Sequence, residues 1–163
     1  MTQEENESVL AWHFVGATLR DGRPIPQDGE WLIHDGSLEM CVSGLHASRH
    51  PFDALSYAPG AVLCRVECAG EIQEQSDKLV CRTRRIIARM DATELLYYFA
   101  RMQALSVIHV WANNPPDVVL DYLMTGDKTL RRAAESAARQ AWQDLVHECF
   151  GMKHMDRMTR RRH

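Results

Sequence analysis

The chain is short of the features that most often announce a function. No apolar run approaches the roughly 20 residues that cross a bilayer as a helix, so no membrane association is expected. Five cysteines stand at 41, 64, 68, 81 and 149 without a single C-x-x-C pair. That spacing excludes a zinc ribbon and a thioredoxin-type redox motif. Neither glycine-rich phosphate loop occurs, and there is no G-x-S-x-G elbow for a nucleophilic serine. The first residues, MTQEENES, are acidic and polar, the opposite of a secretory leader. The expectation is a cytoplasmic protein with reduced, mostly buried thiols. A net charge of -3 demands no polyanionic partner.

What is present divides near residue 91. Before it, Asp21-Gly22, Pro24, Pro26, Asp28-Gly29, Asp35-Gly36 and Pro59-Gly60 punctuate short alternating segments. Strands are expected over 8–15, 30–34, 38–42, 61–68 and 78–88. In 61–68, Val62, Cys64, Val66 and Cys68 share one face. Four strand residues hold Cys64 and Cys68 roughly 13 Å apart, too far to share a zinc ion, which makes them core residues. PFDALSYA (51–58) reads as a short helix with Pro51 at its first position, packed through Phe52, Leu55 and Tyr57.

After residue 91 the period becomes helical. Asp91-Ala-Thr-Glu94 resembles a capping box ahead of a helix to about Trp111, with Leu95, Phe99, Met102 and Val110 along one stripe. Asn113-Asn114-Pro115-Pro116 separates it from a second helix capped by Gly126. A third carries Leu130, Ala134, Ala137, Ala141, Leu145 and Cys149 and stops at Gly151. The fold class expected is α+β. A β-rich head over 1–90, with a mostly antiparallel sheet and one short helix, precedes a helical region over 91–150. A basic tail over 151–163 is compatible with disorder.

Three constellations could carry chemistry. CVSGLHASRH (41–50) sets Cys41, His46 and His50 at C-x4-H-x3-H, with His13 or His34 as a fourth ligand for zinc. Structural zinc sites use tighter pairs, so no metal is expected. Cys41 is expected to pack inward, Gly44 to make a turn, His46 to bond backbone, and His50 to meet solvent. Ser48 or Cys41 as a nucleophile would need a positioned base, and no complete catalytic set is visible. The basic strand, with Lys78, Arg82, Arg84, Arg85 and Arg89, and the tail, with Lys153, Arg157, Arg160, Arg161 and Arg162, fit phosphate contacts. A charge-guarded edge strand explains the former equally, and no aromatics interleave for base stacking. Nucleic acid is therefore a possible partner, not the favoured one.

Two resemblances add to this reading. GLHAS before a short helix ending at Tyr57 is similar to the second motif of ADP-ribosyltransferases, in which a strand with a small polar residue precedes a helix that cradles nicotinamide. His13, in AWHFVGA, would then take the place of the first-strand histidine, and Glu67, Glu71 or Glu74 that of a late glutamate orienting the ribose. The runs EMCVSGLHASRHPFDALSYAPG (39–60), CRVECAGEI (64–72) and SDKLVCRTRRI (76–86) resemble a bacterial and phage family of unknown function. Its members carry a C-x-x-G-[FL]-H-A core and, in some, an alanine-rich helical extension like that of 116–142. This resemblance implies a bacterial, phage or prophage setting and marks Gly44, His46, Ser48 and Tyr57 as motif positions.

The expectation that follows is a non-enzymatic binding or assembly protein, acting through a protein partner or self-association and without a cofactor. The alternative is a nucleotide-binding enzyme centred on His13, Gly44, His46, Ser48 and Tyr57. No catalytic residue is assigned.

Overall fold

The structure, a computed structural model, describes residues 8–111 and 113–160, with 152–160 described by their backbone. It is α+β, an antiparallel sheet with a short helix followed by helices. Two compact units divide it, Met1–Leu96 and Tyr97–His163. No helix among the described residues is long and apolar enough to cross a membrane.

The first unit contains β1 (Val9–Val15), β2 (Trp31–Ile33), β3 (Leu45–Ala47), α1 (Pro51–Leu55), β4 (Val62–Glu74) and β5 (Leu79–Asp91). The antiparallel order is β1-β4-β5-β2, with β3 also on β5. One long edge of β5 pairs with β4, while β3 meets residues 79–81 and β2 meets residues 83–85. Immediately after β3, Ser48 exchanges backbone hydrogen bonds with Trp12 of β1, at 2.7 and 2.9 Å. The sheet therefore returns to its first strand and closes as a small barrel.

Its interior follows from the alternation of β4. Cys64, Val66 and Cys68 are wholly buried together with Ala11, Val15, Leu45, Ala47, Leu79, Cys81 and Ile86. Each valine or leucine so enclosed contributes about 1.5–3 kcal/mol. A second cluster, Phe14, Ala54, Leu63 and Ala92 with Leu55, holds α1 against β1. Pro51 opens α1, and the His50 imidazole Nδ1 accepts from Phe52 N–H at 3.2 Å as its cap.

Several expectations need correction. Residues 38–42 form a turn closed by a bridge between Glu39 and Ser43, not a strand. Cys41 is consequently exposed, at φ +67°, rather than core. The strand at 45–47 is too short for periodicity to reveal. β4 runs on to Glu74, bulged at Gly70 (φ +77°), and turns at Ser76-Asp77 into β5. β5 is central, with partners on both sides, rather than an edge. Phe52 and Tyr57 are exposed, so Leu55 and Ala54 pack α1.

In the second unit, α2 (Thr93–Ser106), which starts in the first, leads to a 3-10 turn at Ile108–Val110, then α3 (Asp117–Thr125) and α4 (Arg131–Arg160). Asp91 Oδ1 accepts from Thr93 N–H at the start of α2. That helix ends at Ser106, earlier than its pattern suggests, and its Leu95, Phe99 and Met102 are exposed. Val119 and Leu123 of α3 pack on Ala134 of α4 with Leu105, Ile108 and Trp111. Gly126 caps α3 at φ +70°. Gly151 does not end α4, which continues to Arg160; Arg161 and Arg162 lie outside the described residues.

Gly44 offers a direct test of the corner before β3. It sits at φ +120°, and a Cβ there would strike Val80 Cγ2 and come within 2.9 Å of Leu38 Cδ2. Gly29 also has positive φ (+86°), but open space surrounds it. Gly29→Ala should cost about 1–2 kcal/mol from backbone conformation alone. Gly44→Ala should cost more, by about 1–3 kcal/mol of overpacking, as measured by urea denaturation of both variants.

Candidate functional site

Barrel closure brings separate parts of the first unit around one cleft of about 980 Å³. β1 supplies Trp12 and His13, and the following loop supplies Leu19 and Arg20. The 41–48 corner supplies Cys41, Gly44, His46 and Ser48, while Tyr57, Lys78 and Arg84 add polar groups beside the Asp21–Arg23 pair. All five candidate ligand-binding residues, His13, Gly44, His46, Ser48 and Tyr57, therefore line the same space.

Their roles differ. Gly44 supplies the backbone conformation that turns the chain into β3. The Cys41 N–H donates to His46 Nε2 at 3.0 Å, and the Gly44 backbone acts on the same ring. The 41–46 loop thus clamps the ring at Nε2. An Nε2 that accepts cannot carry the proton, so the ring is the neutral Nδ1–H tautomer. Burial, then the charges of Arg20, Arg84 and Lys78, keep its pKa below the ordinary histidine value. Ser48 is buried and its backbone belongs to the closing bridge. The Tyr57 hydroxyl donates to Asp77, while Lys78 Nζ lies 3.4 Å from its oxygen and 5.1 Å from the ring centre.

His13 is the more isolated histidine. It stands opposite Cys64 on β4, on the face of Ala11 and Val15. Enclosure pushes its pKa well below the ordinary value, and the charge of Arg84 and the nearby His46 push it further in the same direction. His13 is therefore neutral near pH 7.

The basic strand separates into distinct fates. Arg82 pairs with Glu71 at 2.7 Å and donates to the carbonyls of His34 and Gly36. Arg85 pairs with Glu67 at 2.6 Å and lies over Trp31, its register partner on β2. Arg89 pairs with Asp28 and donates to Pro26 O at 2.7 Å. These three bind the sheet and its loops together and leave no free basic strip along β5. Arg84, between them, stands opposite buried Cys68 and donates to the His46 carbonyl.

The transferase resemblance needs a glutamate near the motif. Glu67, Glu71 and Glu74 instead pair with Arg85, Arg82 and Arg49, and none lines the cleft. Its carboxylate among the described residues is Asp21, which is tied to Arg23 at 2.7 Å. The Cys-His-His pattern does not converge either, since His50 caps α1 outside the lining while His46 clamps the loop. No cluster of three or more potential metal ligands occurs among the described residues.

The arrangement is thus a small antiparallel barrel with a cationic cleft at its GLHAS corner. Residues 9–98 match the family described as a domain of unknown function (DUF7666), and the chain belongs to that family. No curated protein and no solved structure gives a significant match.

The histidines give a pH prediction. A folded-state pKa below the unfolded value of about 6.5 means that unfolding takes up protons. Their contribution to stability is complete above that pH and is lost as pH falls toward the folded pKa. Stability should therefore decline as pH falls below about 6.5, by up to roughly 1.4 kcal/mol per unit for each such histidine. Carboxylates held low by their arginines, such as Glu74, act only at more acid pH. Urea melts across this window should show the decline, and His13→Gln should flatten it.

Proposed function

We propose that this protein is a non-enzymatic binding protein whose head takes up a small nucleotide-class molecule in the GLHAS cleft. The observation that carries this reading is the convergence of His13, Gly44, His46, Ser48 and Tyr57 on one cleft with Arg20, Lys78 and Arg84. A volume of about 980 Å³ suits a ligand of that size, and apolar walls with a few placed polar groups are the usual form of such sites. Trp12, Leu19 and Val42 offer the apolar contacts, and the cationic side chains suit the charged end of a nucleotide. Binding is favoured over catalysis because His46 Nε2 is occupied by the Cys41 N–H, Ser48 is enclosed, and the lining carboxylate Asp21 is paired with Arg23.

Titrating AMP, ADP and NAD into the full chain, followed by amide NMR, tests this reading. At least one should perturb the amides of residues 41–48 and quench Trp12 fluorescence. The absence of any perturbation with all three would remove the nucleotide reading.

A second reading, contact with a protein partner or another copy, has its own support in α4. Trp142 is 67% exposed and Phe150 69% exposed there, and exposed aromatics are favoured at contact hot spots. Light scattering across concentration should then give a mass above 18.7 kDa that Trp142→Ser lowers. A strict monomer that retains no partner would count against it. The proposed setting is a bacterial, phage or prophage cytoplasm, as the motif resemblance implies.

A further inference from the structure

Arg84 is the most unusual ionisable group in the first unit. It is 4% exposed, yet it lines the cleft. Its Nη1 donates to the His46 carbonyl, and its Nε has no hydrogen-bond partner among the described residues. A guanidinium carries five N–H donors and remains charged in proteins. Buried charges are ordinarily paired, but no carboxylate among the described residues pairs with this one.

The groups around Arg84 do not supply the missing charge. Burial pushes the Cys64 thiol up, and a hydrogen bond with Cys81 together with burial pushes Cys68 up. Cys81 is held below the ordinary thiol value by its hydrogen bond with Cys68 and by the charge of Arg84, but its Sγ donates to the Leu45 carbonyl at 3.2 Å, which requires the protonated thiol. His13 and His46 are neutral and cannot balance a cation. Nearer the mouth, Arg20 donates to Cys41 O at 3.0 Å and Lys78 meets the Tyr57 hydroxyl. Both add positive charge to the lining, and neither has a carboxylate ion pair among the described residues.

We infer that Arg84 is the anchor of an anion subsite at the inner end of the cleft, built for a phosphate or diphosphate group, with Arg20 and Lys78 at its mouth. This rests on the cleft being a ligand site and specifies the chemistry of one end of the ligand. A phosphoryl group fits better than a carboxylate because three separated cations suit a multiply charged acceptor with oxygens in several directions. A guanidinium that keeps unused donors can bind such a group without first breaking an ion pair. The neutral histidines bring no charge to the inner wall, so the charge there is that of Arg84.

Inorganic pyrophosphate and orthophosphate are the probes, since they carry the charge without a nucleoside. Side-chain 15N spectra of the wild-type chain should show the Arg84 Nε–H resonance shifting on titration, while those of Arg82 and Arg85 stay in place. Arg84→Lys, which keeps the charge but loses the fork, should weaken pyrophosphate binding by about tenfold or more. Arg20→Ala and Lys78→Ala, at solvent-reachable positions, should weaken it less and reduce its salt dependence. If Arg84→Lys does not fold, the wild-type Nε–H titration decides alone. An unmoved Arg84 Nε–H at saturating pyrophosphate, or equal binding by wild type and a folded Arg84→Lys, overturns the inference. Nucleotide-induced changes at 41–48 without any response to either phosphate would leave the cleft reading standing and remove the anion subsite alone.

Discussion

Two backbone hydrogen bonds between Trp12 and Ser48 make the first unit what it is. Without them the sheet would be open, with β1 exposing a row of unpaired backbone groups. With them, the strand order returns to its start and the interior becomes enclosed. A barrel of so few strands has a narrow interior, which explains the composition of its core. Ala11, Ala47, Cys64, Cys68 and Cys81 are small side chains where larger ones would not fit. The three central cysteines are buried as compact apolar groups.

Closure also determines the electrostatics. Arg84 and Arg85 are adjacent on β5, so their side chains leave opposite faces of the strand. Arg85 meets Glu67 and Trp31, its neighbours on the two flanking strands, on the outer face. Arg84 meets Cys68 and Leu32 at the corresponding inner positions, where no acid is available. One residue is a structural cross-strand tie and the other a buried cation, although both belong to a single basic run. The same enclosure that makes Arg84 unusual holds His13 neutral, so the two properties have one origin.

This explains how far the sequence could be read. The α+β division, the buried face of β4, Pro51 at the start of α1 and Gly126 at the end of α3 each have local causes, namely alternation, a missing N–H and a left-handed cap. The candidate residues were legible as a cluster because most of them lie within the 44–57 segment. The exposure of Cys41 was not legible, since a turn stabilised by a histidine five residues later looks like a strand in its apolar pattern. Nor was Arg84, whose difference from Arg82 and Arg85 depends on partners from β2, β4 and β3. The closing pair at Trp12 and Ser48 uses backbone groups alone and leaves no side-chain signature.

The GLHAS segment then acquires a reason at each position. Gly44 provides a positive φ where Val80 and Leu38 leave no room for a Cβ. Leu45 and Ala47 point into the core, and Ser48 joins β1. His46 clamps the preceding turn with its ring and receives Arg84 with its carbonyl, across 38 residues of sequence. Its imidazole therefore fixes the position of the carbonyl that orients the guanidinium. A histidine in a cleft invites a reading as base or ligand, but here Nε2 is already taken by the Cys41 N–H. The distinctive part of the motif is conformational, and the charge that would attract a ligand comes from a strand far away in sequence. That division keeps the polar groups of the corner occupied while the guanidinium retains donors to offer.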